Sequence, residues 1–172
     1  MTGKAVVRAE PGQRLLARLI DTLIVGLPVA LVARAALPAD VHGPQPAETA
    51  TALGVAVLFM LYDTLQVTLW GRTAGKRLAG IVVVPADRPA PTGPIKPTEP
   101  IGRIGRIGLP RAALRAAVFA LPIAARPVPV LDVVAGVFWV VNALLVLEPS
   151  RRQALHDRLV ATTVVRDGEA GA

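Results

Sequence analysis

Four apolar stretches separated by very unequal charge constrain this chain more than any other feature. Residues 15–37 are apolar apart from Arg18, Asp21, Thr22 and Arg34; residues 50–70, 109–125 and 128–147 form the other three. A hydrocarbon layer about 30 Å thick takes about 20 apolar residues in helical form. Two stretches reach that length cleanly, the last nearly does, and the third is short. The expected fold is therefore an all-α membrane protein, a small polytopic helical bundle with four crossings. The third stretch holds Arg115 and Pro122 and is short enough to be a re-entrant or interfacial helix instead.

The distribution of Lys and Arg sets the expected orientation. Lys4, Arg8, Arg14 and Arg18 precede or enter the first stretch; the segment 38–49 carries Asp40, His42 and Glu48 but no Lys or Arg. Residues 71–115 carry Arg72, Lys76, Arg77, Arg88, Lys96, Arg103, Arg106, Arg111 and Arg115, and the tail carries Arg151, Arg152, Arg158 and Arg166. The positive-inside rule places both termini and the central loop in the cytoplasm. Residues 109–147 must then cross an even number of times, which gives the count of four. Asp21 interrupts the first apolar run and no small-residue cleavage site follows it, so that run is expected to be a retained helix rather than a signal peptide.

Composition narrows the classes. The chain has 172 residues, enough for a single membrane domain over 1–172, and 18% are charged, below the roughly 25% of a soluble domain. Aromatics are 3%, so the apolar mass is small and aliphatic, which suits close helix packing in lipid. With no cysteine there is no disulfide, thiolate nucleophile or Cys-held metal. The net charge of +7 flanks apolar spans, so the expected partners are the bilayer and its anionic headgroups rather than nucleic acid.

Charges inside the apolar stretches are costly and therefore informative. At about 1.5 Å per residue, Asp21 lies roughly 7–8 Å from the cytoplasmic edge and Asp63 roughly 10 Å. Asn142 is at a similar depth and Gln66 lies one turn from Asp63, so Asp21, Asp63, Gln66 and Asn142 are expected to converge in one polar layer. Arg18 and Asp21, spaced i, i+3, are expected to touch. Three readings stand side by side: mutual neutralisation of that pair, an ion or proton site built from Asp21 and Asp63, or a polar contact that fixes helix packing. Tyr62 is placed to donate to a carboxylate.

Several motifs fail. Gly71-Arg-Thr-Ala-Gly-Lys-Arg has three residues between its glycines and no Ser or Thr after the lysine, so it is not a phosphate loop. His42 and His156 fall on opposite sides, excluding a shared metal site. His156-Asp157 has no activated nucleophile beside it, so no catalytic residue, cofactor or metal is expected and the chain is read as a non-enzyme. Residues 85–110 are rich in Pro and Gly and read as a flexible cytoplasmic loop. Val82–Val84 and Thr162–Val165, the latter within the tail 148–172, are β-branched runs expected to pair below the membrane.

Three segments together resemble the RDD family of small prokaryotic integral membrane proteins. They are Arg18-Leu-Ile-Asp21; Tyr62-Asp63 followed by Trp70-Gly71-Arg-Thr73-Ala-Gly75-Lys76-Arg77-Leu-Ala-Gly80; and Arg152-Gln153-Ala-Leu-His156-Asp157-Arg158. The family is named for one arginine and two aspartates. Arg18 and Asp21 match the first pair, and the second aspartate is assigned to Asp157. The long insert 85–110 departs from the family's usual short turn. The resemblance implies a helical domain of poorly defined function, some relatives being linked to sodium–proton exchange or solute transport. Arg18 is expected to pair with Asp157, Gly71, Gly75 and Gly80 to allow tight turns, Thr73 to cap a turn, and Lys76 and Arg77 to face anionic lipid. Two functions follow as expectations for a multi-pass protein of the cell membrane, in which a homo-oligomer would supply the helices a small transporter lacks. One is transport of an ion or small solute coupled to protons or sodium; the other is a non-catalytic adaptor whose basic cytoplasmic face binds headgroups or a partner protein.

Overall fold

The structure, a computed structural model, describes residues 8–36, 44–86, 107–148 and 153–166, with the backbone alone for 44–47. Most of the loop 85–110, together with His42, Arg88, Lys96 and Arg152, lies outside the described residues.

Helix α1 (Pro11–Ala36) is followed by α2 (Pro44–Trp70), a short α3 (Ala74–Leu78) and strand β1 (Ile81–Pro85). Helices α4 (Leu109–Ala125) and α5 (Pro129–Leu147) come next, then a short α6 (Leu155–Leu159) and strand β2 (Thr162–Arg166). The four apolar stretches are thus the four long helices, with α1 and α2 starting earlier than their apolar runs. Pro110 and Pro129 sit in the first turns of α4 and α5, where the missing N–H costs nothing. Helices α1, α2 and α5 are long and apolar enough to cross a membrane; α4, at 17 residues, falls short of that length. The described chain is therefore mainly helical, as the sequence predicts, with a small sheet added.

Each helix buries one face. In α1 the buried positions are Arg14, Ala17, Asp21 and Val25, spaced three or four apart. In α2 they include Ala56, Phe59, Asp63 and Val67, and in α4 Ala112, Arg115, Ala116, Phe119 and Ala120. The outward faces are Leu and Val, as lipid contact requires: within the apolar windows of α1, α2 and α5 only 17%, 22% and 6% of residues are buried. Helix α2 packs chiefly on α4 and also on α1; α5 leans on α4.

One end of the bundle is capped. β1 and β2 pair antiparallel, Val82 with Val165, Val83 with Val164 and Val84 with Thr163, the pairing their β-branched composition predicts. A two-stranded ribbon is marginal alone. Here every residue of β1 is buried, and Ile81 and Val83 join Ala9, Ala17, Val67 and Ala112 in a core beneath the helix ends. Ala9 donates its N–H to Val164 O, tying the start of α1 to β2. Gly71 (φ 68°) and Gly80 (φ 64°) make the left-handed turns that fold α3 back against α1, conformations a side chain resists.

Candidate functional site

The buried faces of α1, α2 and α4 meet α3 and α6 at the capped end, and there the charged side chains assemble. Asp63, 1% exposed, sits at the centre. Its Oδ1 accepts from Lys76 Nζ at 2.9 Å and from Arg18 Nη1 at 3.2 Å; its Oδ2 accepts from Arg115 Nη1 at 2.9 Å. Arg115, also 1% exposed, bridges to a second carboxylate: its Nε donates to Asp157 Oδ1 at 2.9 Å. Asp157 Oδ2 accepts from Arg14 Nη1 at 3.2 Å, and Arg14 Nη2 reaches Val164 O at 3.1 Å. His156 Nε2 lies 3.4 Å from both Arg18 Nη2 and Arg115 Nη2. Facing guanidinium donors, that nitrogen acts as acceptor, so the proton belongs on Nδ1.

Asp21 is held differently. Oδ1 accepts from the Tyr62 hydroxyl at 2.7 Å and from Gly75 N–H at 2.8 Å, and Oδ2 from Thr73 Oγ1 at 2.6 Å. Both oxygens act as acceptors, as an ionised carboxylate's do. Thr73 is the N-cap of α3, accepting from Lys76 N–H at 3.3 Å, so the cap of a five-residue helix is locked onto α1. Gly75 is required by contact: a Cβ there would overlap the carbonyl oxygen of Ala17 and come within 2.7 Å of Asp21 Oδ1.

The pairings differ from three expectations. Arg18 turns to Asp63 on α2 rather than to Asp21 one turn along its own helix, because three neutral donors already fill Asp21. Asp157 is held by Arg14 and Arg115, and Arg18 reaches its neighbour His156 instead. Lys76 does not face lipid: it is 3% exposed and points inward to Asp63, whereas Arg77 beside it is exposed. Of the expected polar layer, Gln66 lies beside the Tyr62 hydroxyl. Asn142 serves another purpose, its Oδ1 accepting from Leu155 N–H at 3.1 Å and so docking the start of α6. Arg14 and Arg115 are the members that sequence reasoning left out. The available signal was Arg115 itself, an arginine in an apolar run that needs a carboxylate to be tolerable there.

Burial pushes the Lys76 ammonium down to about 8, Asp63 opposing the shift and Arg18 and Arg115 adding to it. Burial also pushes His156 down to about 3, with Arg115 and Arg18 reinforcing it against Asp157, so the imidazole is neutral at ordinary pH. Burial alone would raise Asp157, but the charges of His156, once strong acid protonates it, and of Arg115 and Arg14 hold it below the usual carboxylate range. Among the described residues no group of three or more His, Cys, Asp or Glu side chains is placed to hold a metal ion.

Above the cluster lies an aromatic layer. Phe59 and Phe119 stack with centroids 4.9 Å apart, Trp139 meets Phe119 edge-on at 4.7 Å, and the Arg18 guanidinium sits 4.1 Å from the Phe119 centroid. One turn further along α2 and α4, Val55 and Ile123 line a cleft of about 970 Å³ at the opposite end, rimmed by Arg34, Glu48, Arg126 and Asp132.

The model of the RDD family matches residues 8–93, half of the chain. That stretch contains Arg18, Asp21, Asp63, Thr73, Gly75 and Lys76 and ends before Arg115, His156 and Asp157. No curated protein and no solved structure matches the chain.

Proposed function

The chain belongs to the RDD family and is an integral membrane protein, and from that premise we propose that it transports an ion or small solute across the cell membrane in exchange for protons. The observation that carries the reading is the stacking of three layers along one seam between α1, α2 and α4. A polar-rimmed cleft lined by Val55 and Ile123 opens at one end, the Phe59–Phe119 pair follows one helical turn along α2 and α4, and the buried network of ion pairs comes next at the capped end. A buried network of this kind is costly to assemble and weak evidence of stability on its own. Placed under an aromatic closure, it is a set of charges that can be repartnered when the seam opens.

Asp21 and Asp63 enter this reading through their existing partners. Each oxygen of Asp63 already accepts from a cation, so Asp63 works by exchanging ion-pair partners rather than as an open cation ligand, while Asp21, filled by neutral donors, holds α3 in place beside it. The capped end is cytoplasmic in this proposal, the protein is multi-pass and non-catalytic, and a second copy supplies the helices that a transport pathway needs.

The test is ion-driven pH change in proteoliposomes, comparing wild type with Asp63→Asn and Phe119→Ala, each checked by gel filtration. A sodium- or potassium-driven pH change that Asp63→Asn abolishes supports transport. No flux above empty liposomes under any gradient sinks it. One feature favours a second reading, a membrane adaptor: the outer surface of the cap exposes Arg77, Leu78 and Leu159, a basic and apolar face suited to headgroups or a partner protein.

A further inference from the structure

The buried cluster does not balance. Its cations are Arg14, Arg18, Lys76 and Arg115, and its carboxylates are Asp21, Asp63 and Asp157, one fewer, with His156 neutral. An uncompensated charge among side chains with so little contact with water is expensive: Lys76, Asp63, Arg115 and Asp157 are 1–3% exposed and Arg18 17%. Protonating a carboxylate makes the excess two. Guanidiniums do not release protons in proteins. Lys76 is the one cation of the set whose proton can leave.

We propose that Lys76, not a carboxylate, is the group that exchanges its proton in this cluster and that it is the proton carrier of the transport cycle. This deepens the transport reading and rests on it for the second half of the claim. In the charged state Lys76 Nζ–H donates to Asp63 Oδ1. When the ammonium gives one proton to water at the cytoplasmic side, the neutral amine remains and Asp63 keeps Arg18 on Oδ1 and Arg115 on Oδ2, while Asp157 keeps Arg115 and Arg14, so neither ion-paired carboxylate loses its last cation. The cluster then holds three positive and three negative charges. Every element packed around Lys76 contributes to this: Arg18 and Asp21 from α1, Tyr62 and Asp63 from α2, Arg115 from α4, and His156 and Asp157 from α6 through Arg115. Lys76 is itself fixed in the middle of the five-residue α3 by the Thr73 cap and by the Gly75–Asp21 bond. Its depressed proton affinity, near 8, agrees with the charge count.

The chain has only three lysines, Lys4, Lys76 and Lys96, so the proton can be followed directly. Lysine labelled with carbon-13 at Cε is incorporated biosynthetically into the full chain, in a Lys4→Arg, Lys96→Arg background. The single remaining resonance is then titrated by NMR in lipid nanodiscs. The expected midpoint is near 8, and Asp63→Asn is expected to move it lower still, because Asp63 is the partner that favours the charged form. A midpoint at or above 10 overturns the proposal. In proteoliposomes Lys76→Arg, whose charge is permanent, is expected to slow proton-coupled exchange at least tenfold while leaving gel filtration unchanged; Lys76→Arg with wild-type exchange overturns the carrier role. The two readings fail separately. A Lys76 midpoint near 8 in a wild-type protein that drives no flux removes transport and leaves the proton site standing, whereas flux with an ordinary lysine midpoint removes the proton site and leaves transport.

Discussion

Asp21 and Asp63 are carboxylates buried at the same end of the bundle, yet one is held by neutral donors and the other by three cations. The difference decides what each can tolerate. Arg115 is the side chain on which the charged set most depends, since its Nε and Nη1 reach two different carboxylates at 2.9 Å. Arg115→Met is expected to destabilise the protein by about 3–5 kcal/mol, the usual result of leaving a buried charge without its partner. Arg115→Lys keeps the charge but offers a point rather than a fork, so it is expected to recover only part of that loss. Thermal unfolding in detergent measures both, and a neutral Arg115→Met would show that the carboxylates find water or other partners.

His156 gives a prediction with a definite sign. Its folded value is about 3 against 6.5 for a free imidazole, so below about pH 6.5 the unfolded chain takes up a proton that the folded chain refuses. Stability therefore falls as pH drops from about 6.5 toward 3. Asp157, held below the usual carboxylate range, adds a loss of the same sign at lower pH still, once the unfolded chain's carboxylate begins to protonate. His156→Gln is expected to flatten the melting temperature between about pH 6.5 and 4.5 while leaving the steeper fall at more acidic pH. An unchanged profile in the variant would mean that another group dominates the acid response.

At the scale of elements, the cap shows what the sequence carried and what it withheld. Val82–Val84 and Thr162–Val165 are legible as strands because β-branched residues bounded by turns have few other uses, but β-propensity carries neither their antiparallel direction nor their register, which the packing sets. Thr73 is legible as a cap and Gly71 as a turn. The inward direction of Lys76 is not. A lysine just past a membrane helix reads as a headgroup contact, and only the left-handed turn at Gly71 brings it back against a carboxylate thirteen residues earlier. The partners of Arg18 were withheld for a similar reason: helical spacing offers Asp21 first, and the competing donors on Asp21 come from α2 and α3. Gly75 tests this element. Gly75→Ala drives a methyl into the Ala17 carbonyl and must push α3 off α1, costing about 1–3 kcal/mol or more as overpacking does. Amide hydrogen exchange localises the damage: faster exchange confined to α3 and β1 is expected, and slow exchange there would mean that α1 yields instead.

At the scale of the molecule, the open question is α4, whose 17 residues span about 25 Å, less than the roughly 30 Å of a hydrocarbon layer. Length alone argues for a helix that enters and turns back. The contacts argue otherwise. Arg115, two turns from the start of α4, is bound to Asp63 and Asp157 at the capped end, and Ile123 and Arg126 at its other end line the cleft with Arg34 and Glu48. Asn142 then docks the start of α6, returning the chain from α5 to the capped end. A short helix can make this passage because its first two turns lie against the cap, where carboxylates rather than lipid surround Arg115. We therefore predict that α4 crosses. The chain has no cysteine, so single replacements need no background correction. Val128→Cys, half-exposed in the α4–α5 turn, is expected to react with a membrane-impermeant maleimide from the side opposite to Arg77→Cys. Labelling of both from the same side would make α4 re-entrant and remove it from the crossings. The ion-pair cluster and the cleft could not then stand on opposite sides of a barrier, and the transport seam would be lost with them.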